Sequence, residues 1–123
     1  MPPSTAEAKY KTERSLEQRM DESRKILARY RDRLPVICEL HHNCKSLPEI
    51  DKRKFLVPRD LQVGQFLYVI RKSLSISSAQ AILLMTAKGS LPLSSQTIES
   101  LYSTEHDSDG FLYIFYTGEN TFG

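Results

Sequence analysis

Between Gln62 and Leu74 five apolar residues, Val63, Phe66, Leu67, Ile70 and Leu74, stand at i, i+3, i+4, i+7 and i+11. Only a helix brings that spacing onto one side, so the segment is read as a helix whose single apolar stripe must be covered by something else. What the chain offers as a cover is short. Val36–Leu40, Phe55–Val57, Ala81–Met85 and Phe111–Tyr116 are brief apolar runs bounded by Pro, Gly and polar residues, as strands are. A second helix is expected over about Ser15–Tyr30, with Leu16, Met20, Leu27 and Tyr30 at helical spacing, Ile26 on the flank, and Ser15 with Gln18 as a capping box. A shorter helix near Tyr10 precedes it, and Leu34-Pro35 ends it, because the residue before proline is driven out of the helical region. His41-His42-Asn43 and Lys88-Gly89 read as turns, and Thr97–Ser103 as a short helix.

The order is helix, strand, strand, helix, strand, short helix, strand, without an internal repeat. A hairpin, a crossover helix and two further strands make one mixed sheet with the main helix across one face. This is an α+β chain with the β-grasp arrangement of ubiquitin-like proteins: four strands, a packed crossover helix and two extra N-terminal helices. The expected division is a mobile arm at 1–9, helices at 10–34, the β-grasp unit at 35–117 and a flexible tail at 118–123. At 123 residues a single domain is expected. No apolar run approaches the ~20 residues that span a bilayer, and MPPSTAEAKYKTER has no apolar signal core. With two cysteines, too few to staple a secreted fold, the expected compartment is the cytosol. Residues 1–72 hold sixteen Lys and Arg against ten Asp and Glu, and residues 73–123 one against five. The basic half calls for an acidic partner, while the overall charge of +2 argues against dedicated nucleic-acid binding.

Three arrangements could carry chemistry. Cys38, His41, His42 and Cys44 offer zinc-type ligands, but at none of the common spacings, and Cys38 alternates with Val36 and Leu40 as a core strand residue does. A Cys–His–Asp set drawn from Cys38 or Cys44, His106 and Asp107 or Asp109 has no supporting local motif, and the glycines are too scattered to cradle phosphate. Neither a catalytic site, a metal nor a cofactor is expected. Lys52-Arg53-Lys54 before Phe55-Leu56-Val57-Pro58 is more specific, and two explanations compete for it. The lysines guard an exposed sheet edge against unwanted pairing, or the same edge accepts an extended peptide whose acidic residues they meet. Gly123 likewise is either a small residue at a frayed end or an unhindered carboxylate on a tail that can reach roughly 20 Å from the fold.

Tyr10-Lys11, Tyr30-Arg31-Asp32-Arg33-Leu34-Pro35-Val36-Ile37, Asp51-Lys52-Arg53-Lys54-Phe55-Leu56-Val57-Pro58, Asp60-Leu61, Val63-Gly64-Gln65-Phe66, Ile70-Arg71-Lys72 and Gly110-Phe111-Leu112-Tyr113-Ile114 resemble the autophagy ubiquitin-like modifiers, the GABARAP and microtubule-associated light chain 3 group. The likeness runs from about Tyr10 to Gly123. It implies that Gly123 is activated by an ATP-dependent enzyme, passed to a conjugating enzyme and joined to phosphatidylethanolamine, and that a cysteine protease processes or deconjugates the product. Many members carry residues beyond this glycine, so the chain is expected either to be made ready for conjugation or to represent a trimmed form. The protein would then be cytoplasmic and, when lipidated, peripheral on autophagosomal membranes. The resemblance also implies two pockets for cargo receptors bearing W/F/Y-x-x-L/I/V segments. The aromatic pocket maps to Glu22, Ile26, Pro35, Ile37, Lys52, Lys54, Leu56 and Phe111, and the aliphatic one to Phe55, Val57, Pro58, Leu61, Phe66 and Val69. Lys54 and Leu56 would bond the added strand through their backbones, and Arg33, Lys52 and Arg53 would meet acidic flanking residues. Three features depart from the GABARAP pattern: the segment His41–Ile50 is one residue longer, Ser73 replaces a basic residue, and Thr86-Ala87 replaces an amide-rich pair. A non-conjugated ubiquitin-like adaptor for acidic peptides or a microtubule-associated partner is the alternative.

Overall fold

The computed structural model describes residues 7–118. The expected conjugation site Gly123, most of the tail and residues 1–6 of the arm lie outside the described residues. Helices α1 (Lys9–Glu13) and α2 (Leu16–Arg29) lead into strands β1 (Arg33–Leu40) and β2 (Lys54–Pro58). Helix α3 (Val63–Leu74), strand β3 (Leu83–Thr86), helix α4 (Ile98–Glu105) and strand β4 (Leu112–Thr117) follow. The sheet runs β2-β1-β4-β3, with β1 antiparallel to β2, parallel to β4, and β4 antiparallel to β3.

The helix starts are written locally. The Ser15 hydroxyl accepts from Gln18 N–H while the Gln18 side chain accepts from Ser15 N–H, the reciprocal cap expected for α2. Thr97, expected inside α4, is instead its cap, its Oγ1 accepting from the Ser100 amide at 3.1 Å. Strand ends depend on partners. β1 reaches back to Arg33, past the break expected at Pro35, because Pro58 stands opposite Arg33 and prolongs the ladder. The proline is tolerated because it precedes Val36, where pairing with β4 begins. β3 starts at Leu83 rather than Ala81 because Leu83 faces Thr117, the last residue of β4, and earlier residues have no strand to pair with.

Two apolar layers hold the sheet. On one face Val36, Cys38, Leu112, Ile114 and Tyr116 pack against the α3 stripe of Val63, Phe66, Ile70 and Leu74. On the other Ile37, Tyr113, Phe115 and Phe111 pack against Tyr10 and Ile26 of the N-terminal helices. Each such side chain contributes about 1.5–3 kcal/mol on burial. Having layers on both faces explains why all six residues of β4 are buried.

Polar contacts pin the N-terminal helices. The buried Glu39 carboxylate on β1 accepts from the Lys9 and Tyr10 amides at 2.8 and 2.9 Å, satisfying two donors that the start of α1 leaves open. The fully buried Asp109 carboxylate accepts from Arg19 Nη1 at 2.7 Å, the Tyr113 hydroxyl at 2.6 Å and the Phe111 amide at 2.8 Å. The Ser23 hydroxyl donates to the Asp109 carbonyl at 2.5 Å.

Candidate functional site

The two ends of the sheet are not alike. Cys38 N–H donates to the Arg53 carbonyl at 2.9 Å. Antiparallel pairs alternate between bonded and non-bonded, so Arg53, Phe55 and Val57 turn their backbone groups to β1 while Lys54, Leu56 and Pro58 turn theirs outward. The Pro58 carbonyl is closed by the Leu61 amide at 3.1 Å, leaving Lys54 and Leu56 as the outward-facing stretch. At the far edge the Ala87 amide bonds the Tyr113 carbonyl, which by the same alternation turns Leu84 and Thr86 outward. There the chain closes over itself: the Thr86 amide donates to the Ser90 carbonyl at 2.9 Å, and the Thr86 carbonyl accepts from Gly89 at 2.9 Å. The β2 edge is therefore the one with room for an added strand.

Side chains on β2 alternate across that edge. Lys54 and Leu56 lie toward α2, where Glu22, Ile26 and Lys52 join them around a hollow of about 500 Å³. Three residues assigned to the aromatic pocket do not line it. Pro35, Ile37 and Phe111 are buried, and Ile37 and Phe111 form the packed layer beneath Ile26 and Leu56. The wall contains Phe55, which the sequence assigned to the aliphatic pocket, and three residues that sequence reasoning missed, Lys25, Arg29 and Tyr30. Their signal was available, since they follow Glu22 at i+3, i+7 and i+8 and so share its side of α2.

The hollow is polar at its rim. Glu22 accepts from the Tyr10 hydroxyl and forms an ion pair with Lys54. Burial alone would raise the Glu22 carboxyl, but Lys54 and Tyr10 hold it below the usual carboxylate range. The Tyr10 phenol is pushed up by burial and by Glu22. Lys52 is exposed, whereas Arg53 turns back on Glu13 at 2.6 Å and Glu39 at 3.2 Å. An acidic ligand would have to draw Arg53 away from those two carboxylates. Arg33 is exposed and places its Nη1 3.3 Å from the Leu56 carbonyl.

On the other side of the edge the expected aliphatic pocket divides. Val57 and Phe66 are core residues, and the half-buried Phe55 stands edge-on to Phe66 with centroids 5.5 Å apart. Leu61 and Val69 line an open hollow of about 520 Å³, whose walls are Gln62, Gly64, Gln65, Tyr68, Ser94 and Ser95 rather than Phe55, Val57, Pro58 or Phe66. Gly64 permits the approach, because a Cβ there would sit 3.3 Å from both the Cβ and the carbonyl of Ser94.

The other sequence candidates have structural employment. Cys38 is fully buried among the α3-facing core, and burial pushes its thiol up. His106 stacks on Tyr102, and Asp109 serves Arg19 and Tyr113. Among the described residues no group of three or more His, Cys, Asp or Glu is placed to hold a metal ion.

The chain is similar to known proteins over most of its length. A family sequence model described as "Autophagy protein Atg8 ubiquitin like" matches residues 18–123. Autophagy-related protein 8 of Scheffersomyces stipitis is 48% identical over 116 residues, 94% of this chain and 82% of that protein. Autophagy-related protein 8A of Oryza sativa subsp. indica is 47% identical over 118 residues, 96% of this chain and 98% of that protein. The crystal structure of Trypanosoma brucei ATG8 superposes with a TM-score of 0.89 at 42% identity, covering 96% of this chain and all of that one.

Proposed function

The chain belongs to the Atg8 family of autophagy ubiquitin-like proteins, and from that membership we propose that it is a membrane-anchored adaptor, conjugated through Gly123 to phosphatidylethanolamine. The activating and conjugating enzymes of the pathway would carry the Gly123 carboxyl as a thioester before the lipid amine takes it, and a cysteine protease would process or release it. Two acyl chains anchor stably where one binds only marginally. No helix among the described residues is long and apolar enough to cross a membrane, so in this reading the lipid supplies the attachment. Between rounds of conjugation the protein is cytoplasmic.

The anchored domain would recruit receptors through aromatic-x-x-aliphatic segments added to β2. The observation that carries this reading is the outward-facing stretch at Lys54 and Leu56 with a hollow of about 500 Å³ beside it, while a second of about 520 Å³ opens at Leu61 and Val69, beyond the end of the strand. The aromatic residue would enter beside Ile26 and Leu56 and the aliphatic one beside Leu61 and Val69, with Lys52, Lys54 and Arg33 meeting acidic flanks.

Two measurements test the halves separately. Intact mass after incubation with the conjugation enzymes, ATP and phosphatidylethanolamine vesicles should rise by one lipid for the unaltered chain and not for Gly123→Ala; normal lipidation of that variant would sink the conjugation claim. Calorimetry with an acidic Phe-x-x-Leu peptide should show binding weakened about tenfold or more by Leu56→Ala or Lys54→Glu, the scale of a truncated central contact. Equal affinity in both variants would remove the groove.

A further inference from the structure

Within the Lys54–Leu56 stretch one outward acceptor is already taken. Arg33 stands at the start of β1 opposite Pro58, and its guanidinium reaches over the strand so that Nη1 donates to the Leu56 carbonyl at 3.3 Å. Leu56 is one of the two outward-facing residues that the following turn does not close, and its carbonyl is an acceptor that a strand added to this edge would seek. Among the described residues the one carboxylate paired with Arg33 is its neighbour Asp32, at the 4.0 Å limit of an ion pair, with both side chains well exposed. Arg33 is therefore weakly held and accessible to a stronger anion.

We propose that Arg33 is a displaceable cap on the β2 edge, one that links recognition of an acidic flank to opening of the Leu56 carbonyl. This rests on the peptide-groove reading above. With no ligand, the guanidinium occupies the acceptor, and a neutral strand must compete with it. A ligand carrying a carboxylate beside its aromatic residue offers the guanidinium an oppositely charged, fork-shaped partner in place of one long bond of 3.3 Å to a neutral carbonyl. Arg33 turns to that carboxylate, and the vacated carbonyl accepts the ligand's backbone N–H. A single residue then gives selectivity twice, by attraction to acidic peptides and by obstruction of neutral ones. The same obstruction protects an exposed sheet edge from indiscriminate pairing.

Calorimetry with two peptides distinguishes this from simple charge attraction. One carries a Phe-x-x-Leu core flanked only by serines, and its twin has three glutamates ahead of the phenylalanine. If Arg33 is a cap, Arg33→Ala binds the serine-flanked peptide tighter by roughly two- to tenfold, the worth of one freed hydrogen bond, while the preference for the glutamate twin shrinks. Unchanged or weaker binding of the serine-flanked peptide by Arg33→Ala, with an unaltered melting temperature, would overturn the cap. Absence of binding of either peptide to the unaltered chain would instead overturn the groove, and the cap with it.

Discussion

At the scale of single residues, much depends on contacts between positions far apart in the chain. Gly110 has φ +94°, a conformation that side-chain-bearing residues rarely adopt. A Cβ there would collide with the Ser23 hydroxyl, the group that donates to the Asp109 carbonyl and fastens α2 to the turn before β4. Gly110→Ala should therefore cost about 2–3 kcal/mol, combining left-handed backbone strain with a lost hydrogen bond, as a lowered urea midpoint at unchanged slope will register. The sequence marks Gly110 as part of a Gly-Phe-Leu-Tyr-Ile stretch but says nothing of Ser23, 87 positions earlier. Glu22 is similar. Its place on α2 was legible from helical spacing, whereas its pairing with Lys54, 32 positions on, exists only because α2 crosses over β2.

At the scale of elements, helices were more legible than strand ends. α2 carries its own instructions in the Ser15–Gln18 exchange, so removing the hydroxyl with Ser15→Ala should lower stability by about 1 kcal/mol in chemical denaturation. Strand limits followed partners instead. Thr117 decides where β3 begins and Pro58 how far β1 extends, and neither pairing can be read from alternation within one strand. The candidate site is also a property of elements. Alternation places Lys54 and Leu56 on one side of β2 and Phe55 and Val57 on the other, as the sequence implied, but burial then separates lining from floor. Ile37, Phe111, Val57 and Phe66 support the hollows without lining them, and Lys25, Arg29, Tyr30 and Tyr68 supply wall that the sequence assignment lacked.

At the scale of the whole molecule, the sheet with helices on both faces sets how stability answers pH. His41 is buried beside β4, edge-on to Phe115 at 5.9 Å and stacked on His42 at 4.5 Å, and burial, with a smaller push from His42, lowers its pKa below 6.5. The unfolded chain then binds the proton more readily, so this contribution is present above about pH 6.5 and lost as pH falls from there through the folded pKa. The melting temperature should decline between pH 7.5 and 5.5, and His41→Phe, which keeps a ring against Phe115, should flatten that decline. Glu13, Glu22 and Glu49, each held low by a cationic partner, act in a more acidic window: their contribution is lost as pH falls below 4.5 through their folded values. From local spacing alone came the α3 stripe, the α2 cap, and the short strands in their order along the chain though not across the sheet, because helix and strand periodicity depend on residues within a few positions of one another. Tertiary structure decided that β2 offers an open edge while β3 closes on its own turn, that α1 and α2 cover the face opposite α3, and that Arg33 lies across Leu56. Those outcomes turn on which backbone groups are left outward after pairing, and on contacts between residues tens of positions apart, which only the closed sheet brings together.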